Sequence, residues 1–400
     1  MKKMNDLSII GLSYGNPWQP ATWSNNPYYL FSYLKEAGYL TFAWGENPTH
    51  FDRYFSRMWT GLRFLTINKR EIGHLTPRFY LSRMMNRKFL KVLENNHPVQ
   101  KNQQVVISTS SFVGFENIPY PVYLYGDQNF YQLYQGNPEI QEAISKRVLR
   151  KIIDFEKRQS ERCAGIFCFS RWTKDSLVND YGIDEQKVTV VGHGYCLPEY
   201  EDFDKTRFEQ PAILFVVTNW KKKGGDIVLK AFQLVKEQLP KVQLHIVGRI
   251  PEGLSEPIGQ KDVVYHGFLN KNKPEELEKL TELYKKAAVF LLPSVYDPMP
   301  NITLEANYLK TPVVASNVCG IPEQVIDGET GFVIPDADPE KYAEKMLLLL
   351  NDQSLRHQMG IAGRRFVEEN FSWQAVTRKM VGKMQTGDGK LEKRPETGDR

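Results

Sequence analysis

Short runs of β-branched and aromatic residues alternate with segments of helical periodicity along most of this chain. Such alternation is typical of βαβ units, in which each helix connects two parallel strands of one sheet. In the first half the strand-like runs lie at 7–10, 105–108, 122–125, 165–169 and 188–191. In the second half they lie at 212–217, 244–247, 263–265, 289–292, 313–315 and 332–334. The pattern predicts an α/β fold with two Rossmann-like, doubly wound domains.

The length of the chain also favours two domains. Its 400 residues exceed the roughly 250–300 beyond which a single hydrophobic core stops growing. Residues 199–210 are polar with few apolar side chains, and we predict that they form the linker. The predicted parts are an N-terminal domain at 1–205, a C-terminal domain at 206–365, a final helix at 366–384 and a disordered tail at 385–400. Because ligands bind beyond the carboxyl ends of parallel strands, a cleft between the two domains is the expected site.

The stretch after the apolar strand at 289–292 combines a loop, two carboxylates and the start of a helix. Asp297 lies in the loop and Glu305 on the first or second turn of the helix, while Asn301 is placed to cap the helix. The unsatisfied amides and positive dipole of a helix N-terminus suit a phosphate group. This arrangement predicts a pocket that binds a phosphorylated ligand.

A second loop in the same half follows the strand at 212–217 and contains the lysines at 221–223 before Gly224. Gly224 permits close backbone approach or a positive φ angle, and at least one of the lysines can point into the cleft. A lysine there can neutralise a leaving diphosphate without a metal. The alternative interpretation is a basic surface turn.

Cysteine spacing and hydropathy bear on location. The cysteines form no C-x-x-C pair, no signal peptide is recognisable near the N-terminus, and no run approaches the roughly eighteen apolar residues of a spanning helix. These features predict a cytoplasmic protein with free thiols.

Metal and cofactor motifs are also missing from the sequence. The histidines lack metal-ligand spacing, and the Asp-x-Asp runs at 202–204 and 336–338 are expected to be solvated turns. No G-x-G-x-x-G follows the first strand, which argues against a dinucleotide oxidoreductase. We therefore expect no metal and no cofactor.

The net charge of +5 is unevenly distributed. Residues 53–91 contain ten Lys and Arg residues and only Glu71 as an acid, a local charge of about +9. Apolar residues recur at helical spacing from 81 to 93, and a basic stripe lies beside them: Arg83, Arg87 and Lys91. Such a helix either packs on its own domain by the apolar face or lies on an anionic membrane surface. No nucleic-acid-binding motif accompanies the charge, so nucleic acid is not an expected partner.

Several short sequences together resemble glycosyltransferase family 4, whose members are retaining nucleotide-sugar enzymes of the GT-B fold. In the first half the matching sequences are Phe169–Lys174 and Val190–Gly194. In the second half they are Lys223–Gly224, Gly267–Phe268, Leu283–Ala287, Leu292–Ser294, Met299–Asn301, Leu304–Ala306, Thr311–Ser316, Gly320–Glu323 and Gly328–Phe332. The resemblance covers most of residues 120–375. It implies two Rossmann-like domains that face a central cleft, with the helix at 366–384 crossing back to the N-terminal domain.

The resemblance implies a metal-independent hexosyltransferase. Such an enzyme moves a sugar from a nucleotide diphosphate sugar, UDP- or GDP-linked, to an acceptor hydroxyl with retention at the anomeric carbon. Glu305 would accept hydrogen bonds from the ribose. Two residues of the second half would be catalytic: Asp297, which would meet hydroxyls of the donor sugar, and Lys223 beside Gly224, which would bind the diphosphate. The remaining donor-binding residues implied, through their backbone, are Met299, Pro300 and Asn301.

In the N-terminal domain the resemblance points to Asp127 as a catalytic residue, near the place where many family members have a histidine. An aspartate there can orient or deprotonate the acceptor hydroxyl, although an Asp after a strand is also often a turn or helix cap. Gly15 and Asn16 are the loop residues available to approach an acceptor or the phosphates. His193 follows a strand on the cleft side and either lines the pocket or belongs to a hinge turn.

Two positions depart from the family pattern. Thr218 stands where the family usually has an arginine, and Asp297 stands where it has a glutamate. Losing one cation beside two phosphates weakens transition-state stabilisation unless Lys221 or Lys222 replaces it. The first alternative function is therefore a catalytically weakened nucleotide-sugar-binding or partner protein. The second is a peripheral membrane glycosyltransferase that uses a lipid acceptor and contacts an anionic membrane through residues 53–91.

Overall fold

Parallel strands form two six-stranded sheets in the computed structural model of the chain. The structure describes residues 7–19, 25–63, 69–75, 80–96, 103–111, 113–207, 210–252, 254 and 262–386. Contacts divide the chain into two units: residues up to Gly192 together with those from Val376 onward, and His193–Ala375. Each unit contains one of the sheets.

The first unit begins with the N-terminal strand of its sheet. The strands are β1 (Leu7–Leu12), β2 (Leu40–Trp44), β3 (Gln103–Ser108), β4 (Val122–Gly126), β5 (Gly165–Cys168) and β6 (Val188–Val190). The helices are α1 (Asn26–Glu36), α2 (His50–Arg63), α3 (Lys69–Leu75), α4 (Tyr80–Asn96), α5 (Phe130–Gln135), α6 (Pro138–Ala143), α7 (Lys146–Arg162) and α8 (Arg171–Asn179). The strand order is β2-β1-β3-β4-β5-β6, and every neighbouring pair is parallel.

The second unit repeats this plan. Its strands are β7 (Gln210–Val217), β8 (Gln243–Gly248), β9 (Val263–Tyr265), β10 (Ala287–Leu292), β11 (Val313–Ser316) and β12 (Gly331–Ile334). Its helices are α9 (Gly225–Gln238), α10 (Pro274–Lys286), α11 (Asn301–Tyr308), α12 (Pro339–Asn351) and α13 (Gln353–Asn370). The order is β12-β11-β10-β7-β8-β9, again all parallel. A last helix, α14 (Trp373–Gln385), belongs to the first unit from Val376 onward.

The central strand β10 shows why these sequences form parallel sheets. It lies between β7 and β11, and all six of its side chains are buried. A strand that is covered on both faces needs apolar residues at consecutive positions, which explains the uninterrupted run from Ala287 to Leu292. The predicted α/β class with two parallel sheets is therefore confirmed, and each predicted strand is present.

One strand was not predicted from the sequence. β2 is the edge strand of the first sheet and pairs only with β1 among the described strands. Its five side chains are partly or fully exposed, so they give no apolar run and no clean alternation. Edge strands of this kind carry little hydrophobic signal, because only one neighbour and one partial face constrain them.

Helix α4 packs on its own unit. Its apolar side chains Leu81, Met85, Phe89 and Leu93 are buried in the core of the first unit. Its basic stripe of Arg83, Arg87 and Lys91 is exposed. Residues 81–93 were predicted either to pack on their own domain by the apolar face or to lie on a membrane. In the structure the apolar face packs on its own domain.

The first unit ends earlier than the predicted domain boundary at 205/206. Residues from His193 onward group with the second unit because they make specific contacts there. The Tyr195 ring stacks on that of Tyr308, with centroids 4.2 Å apart. The Tyr200 amide donates to the Tyr308 hydroxyl at 2.8 Å. The polar composition that predicted a linker thus includes anchoring residues.

No helix among the described residues combines the length and apolar composition needed to cross a bilayer. At the C-terminus, α14 ends at Gln385, and Gln103 donates to the carbonyl of Met384 at 2.8 Å. Most of the predicted tail at 385–400 lies outside the described residues.

Lys205 is a buried anchor of the predicted linker. Its ammonium donates to the carbonyls of Tyr284 and Lys285 at 3.1 and 3.0 Å and to the Thr311 hydroxyl at 2.8 Å. We expect Lys205→Met to lower the free energy of unfolding by about 2–4 kcal/mol, because three buried acceptors lose a charged donor. Urea unfolding of the full chain measures this.

The matched control for that variant is Arg207→Met, in the same short helical turn, where the side chain is 79% exposed. It should change stability by less than about 0.5 kcal/mol. Equal effects of the two substitutions would show that Lys205 is not an anchor.

Candidate active site

The loops that follow β7 and β10 meet at one edge of the second sheet. The two strands are hydrogen-bonded neighbours and run parallel, with Phe290 opposite Leu214, so their carboxyl ends lie together. The loops also bond directly, since the Val295 amide donates to the carbonyl of Lys222 at 2.8 Å. The lysine loop and the carboxylate loop predicted from the sequence are therefore adjacent.

Gly224 allows this close approach. Its φ angle is +72°, and a Cβ placed on it would lie 2.0 Å from the carbonyl oxygen of Pro293, at the start of the other loop. Any other residue would be strained by its backbone conformation and would also collide with the Pro293 backbone. Gly224 thus sets the spacing between the two loops, directly before α9 begins.

Lys223 and Asp297, two of the predicted catalytic residues, form an ion pair across these loops. The Lys223 ammonium contacts Asp297 Oδ2, and the two side chains are only 13% and 15% exposed. Partial burial strengthens such a pair relative to one on the surface. A phosphate group that binds Lys223 must therefore share its ammonium with Asp297.

Glu305 forms a second ion pair at the base of the site. It lies on the second turn of α11 and is completely buried. The Lys271 ammonium contacts its Oε1, and the Tyr284 hydroxyl donates to its Oε2 at 3.4 Å. Burial alone would lower the pKa of Lys271, but the Glu305 carboxylate reverses this and raises it. The same burial and the nearby carboxylate raise the pKa of Tyr284 well above its ordinary value.

Lys271 had no motif to identify it. It follows β9 in a polar loop and reaches Glu305 across 34 positions of sequence, so only the fold brings the two together. Tyr284 falls within a family-like sequence, but no role could be assigned to it there. Both belong to the site and were not predicted from the sequence.

Removing the Lys271 ammonium should leave a buried carboxylate without its cation. We expect Lys271→Met to lower the free energy of unfolding by about 2–4 kcal/mol, since breaking a buried ion pair costs more than deleting an exposed one. Chemical denaturation of the full chain measures the loss. Lys273→Met, two positions away with a 66% exposed side chain, is the control. A Lys271→Met/Glu305→Gln double variant should recover part of the stability; if it instead loses the sum of both single effects, the two residues are not coupled.

The N-terminus of α11 does not have the predicted cap. Asn301 is the first residue of α11, and Pro300 occupies the capping position without a side-chain hydrogen bond. Asn301 is therefore not the cap, because a proline directly before it takes that position. Met299 and Pro300 are buried, so this turn is held firmly in the protein.

Two buried hydroxyls lie in the same segment. Ser294 Oγ, in the loop after β10, and Thr303 Oγ1, in the first turn of α11, have no hydrogen-bond partner among the described residues. Buried polar atoms are normally paired, so these two hydroxyls are candidates to bond a ligand or a water molecule. Thr303 lies in the first turn of α11, where the backbone amides of a helix are unpaired.

His193 lies in the second unit and is fully buried, rather than in the N-terminal domain as predicted. Its Nδ1 lies 3.1 Å from the Gly194 carbonyl, and its Nε2 lies 3.2 Å from the side-chain nitrogen of Gln324. Burial lowers its pKa to about 4, against weaker effects from the backbones of Gly194 and Met299. Near neutral pH the imidazole is therefore uncharged, and it interacts with the backbone of Met299.

The buried His193 should make stability depend on pH. Its pKa is about 4 in the folded chain and about 6.5 when unfolded, so the unfolded chain binds more protons between these values. The stability that comes from keeping His193 neutral is fully present above about pH 6.5 and is lost as the pH falls toward 4. The free energy of unfolding should be lower by about 2 kcal/mol at pH 5. Urea unfolding at pH 7 and pH 5 should show this loss, and His193→Gln should reduce it. An identical pH dependence in both proteins would contradict the assignment.

Thr218 directly follows β7 at the carboxyl edge of the sheet and is exposed. The position where family members usually carry an arginine therefore lies at the site and supplies no charge here. Lys221 is exposed and Lys222 is half-buried in the same loop. The amide of Lys222 donates to the Asn219 side chain at 3.0 Å, which fixes the backbone of this turn.

The remaining predicted residues lie in the first unit. Asp127 directly follows β4 and is half-buried, and its carbonyl accepts a hydrogen bond from the Thr173 hydroxyl. The next helix, α5, is capped by Asn129, whose side chain accepts from the Gln132 amide. Asp127 is thus not the helix cap, and its carboxylate stands at the carboxyl edge of the first sheet.

Gly15 and Asn16 lie beyond the end of β1, at the same edge. Gly15 has a φ angle of +92°, and its amide donates to the Glu46 carbonyl at 3.2 Å. Asn16 Oδ1 accepts from the Trp18 amide at 2.9 Å. The pair thus forms an ordered turn in the first unit, separate in sequence from the candidates of the second.

Most of the second unit matches the sequence pattern of a known protein family. Residues 199–366 match the family described as glycosyl transferases group 1. One curated relative is the capsular polysaccharide biosynthesis glycosyltransferase CapM of Staphylococcus aureus, 29% identical over 227 residues. The match covers 53% of this chain and 58% of CapM, so the chain spans little more than half the length of that relative.

Nearly the whole chain superposes on solved structures. Sucrose-phosphate synthase of Thermosynechococcus elongatus superposes with a TM-score of 0.66 and 17% identity, covering 95% of this chain and 98% of that one. HepE of Anabaena in complex with UDP superposes with a TM-score of 0.61 and 14% identity, covering 95% and 100%. The chain therefore has the two-domain α/β fold of GT-B glycosyltransferases, and its residues 199–366 carry the pattern of glycosyl transferases group 1.

Proposed function

We propose that this protein is a retaining, metal-independent glycosyltransferase of family 4 that moves a sugar from a nucleotide diphosphate sugar to an acceptor hydroxyl. One observation carries the proposal. Two lysine–carboxylate pairs, Lys223 with Asp297 and Lys271 with Glu305, lie around the loop and helix start after β10, within the segment that matches the family. A donor of this class has three parts that fit them: a diphosphate, a ribose and a sugar.

Each part of the donor has a proposed partner. Lys223 and the first amides of α11 take the diphosphate, whose negative charge suits a helix N-terminus. Glu305 accepts hydrogen bonds from the ribose hydroxyls, and Asp297 accepts from hydroxyls of the transferred sugar. UDP is the first nucleotide to test, because the HepE structure contains it.

In the proposed reaction the bond between the anomeric carbon and the phosphate oxygen breaks, and its electron pair leaves with the nucleoside diphosphate. A bond from the acceptor oxygen forms on the same face of the sugar. Asp127 orients the acceptor hydroxyl and accepts its proton. Lys223 neutralises the charge that develops on the leaving group, which is the electrostatic part of catalysis.

Lys223 has to serve two anions in this scheme. Its ammonium contacts Asp297 in the free protein, and Thr218 supplies no second cation. The diphosphate therefore gains less from Lys223 than it would from an unpaired lysine. This observation favours one alternative, a protein that binds nucleotide sugars but transfers them weakly, and donor hydrolysis distinguishes it from an active enzyme.

The proposal predicts that nucleotide binding depends on Glu305. In a thermal-shift and calorimetric screen of UDP, GDP, ADP, TDP and their sugar conjugates, the wild type should bind one nucleotide class. Glu305→Gln should weaken that binding by on the order of tenfold to a hundredfold, because a neutral amide accepts ribose hydrogen bonds less strongly than a carboxylate. Release of the nucleoside diphosphate from the bound donor then tests for transferase chemistry.

The control in the screen is Glu329→Gln, at an exposed turn of the same unit, which should bind as the wild type does. Binding with no release, even with added acceptors, would leave only the weakened binding protein. Unchanged binding in Glu305→Gln, or no binding of any nucleotide, would contradict the proposed donor site.

A further inference from the structure

Helix α2 of the first unit buries a polar face and exposes an apolar one. The residues that it buries against the protein are Asp52, Ser56 and Thr60, which recur every four positions along one face. The Thr60 hydroxyl donates to the Ser56 carbonyl at 2.7 Å, so even the centre of this buried face is polar. A helix of a soluble protein normally buries its apolar stripe instead.

The apolar stripe of α2 faces outward. Its six large side chains are between 37% and 69% exposed: Phe51, Tyr54, Phe55, Met58, Trp59 and Leu62. They recur at spacings of three and four and therefore lie on one continuous face. The Phe51 and Phe55 rings contact each other, with centroids 4.3 Å apart. Contiguous exposed apolar surfaces of this kind mark interaction sites.

An ion pair fixes this orientation of α2. Asp52 accepts from the Thr49 amide at 2.9 Å and from the Lys88 ammonium of α4 at 3.0 Å. Lys88 also contacts Glu46. Burial alone would raise the pKa of Asp52, but the hydrogen bonds from the Thr49 amide and from Lys88 outweigh it and lower the pKa. A rotation of α2 about its axis that buried the aromatic face would break the pair of Asp52 with Lys88. The Asp52 carboxylate would then have lost its cation. The apolar face of α2 therefore points outward whenever the helix is docked on α4.

The surroundings of the stripe are basic. Arg53 and Arg57 are exposed on α2 itself, and α4, which packs on α2, exposes its own three basic residues. The only acid within α2 is Asp52, which is buried. Apolar and aromatic side chains bordered by arginines are the composition of a helix that lies in a membrane interface. A second copy of the chain would instead bring like charges together across the contact.

We propose that the outer face of α2 binds an anionic phospholipid membrane. The aromatic and aliphatic side chains enter the boundary between headgroups and acyl chains, while Arg53 and Arg57 bind lipid phosphates. The surface overlaps the first part of the segment predicted from the sequence, residues 53–91, but it is not the predicted helix at 81–93, because the apolar face of α4 is buried and only its basic stripe is exposed. The proposal is independent of the nucleotide-sugar site, which lies in the second unit.

Vesicle cosedimentation of the full chain tests the surface. The wild type should bind vesicles of phosphatidylcholine mixed with phosphatidylglycerol and bind far less to phosphatidylcholine alone. Phe51→Ser/Leu62→Ser should weaken binding by on the order of tenfold or more, since both side chains leave the apolar layer. Arg53→Gln/Arg57→Gln should weaken it by a similar factor and reduce its dependence on salt. The control is Ile361→Ser, a 55% exposed position in the second unit, which should bind as the wild type does.

All the substituted side chains are exposed, so each variant should keep the circular dichroism spectrum and unfolding midpoint of the wild type. The proposal fails if the wild type stays unbound with anionic vesicles at low salt. It also fails if the apolar double variant binds as well as the wild type, or if sedimentation shows that the variant only converts a dimer into a monomer.

Discussion

The pairing of β7 with β10 is the constraint on which the candidate site depends. The two strands are far apart in sequence, and their parallel hydrogen bonding brings the turn after one against the loop after the other. Gly224 then lets the loops approach closely enough for Lys223 to reach Asp297. The chemistry proposed for the second unit is therefore set first by sheet topology and only then by the individual side chains.

Much of this could be predicted from the sequence because parallel strands buried on both faces are apolar without interruption. Lys223, Asp297 and Glu305 could be singled out one at a time, since each lies in a loop after a recognisable strand or near the start of a helix. Their partners could not, because an ion pair such as Lys271 with Glu305 joins residues whose distance only the folded chain sets. The edge strand β2 was missed for lack of an apolar run.

Local rules failed where a neighbour overrode them. An asparagine at the start of a helix is a good cap, yet Pro300 takes that position and moves Asn301 into the first turn. Polar residues suggested a linker, yet Lys205 is buried among three acceptors. In both cases the residue type alone suggested one role, and the contacts in the folded chain give the residue another.

The reversed polarity of α2 has a consequence for how the first unit moves. Hydrophobic burial contributes little where a helix rests on Asp52, Ser56 and Thr60, so an ion pair and a few hydrogen bonds hold it in place. Segments with few buried apolar contacts open at a small fraction of the global unfolding free energy. Amide hydrogens of α2 should therefore exchange with solvent sooner than those of the neighbouring α4, whose apolar face lies in the core. Local opening of α2 would leave the apolar core of the first unit folded.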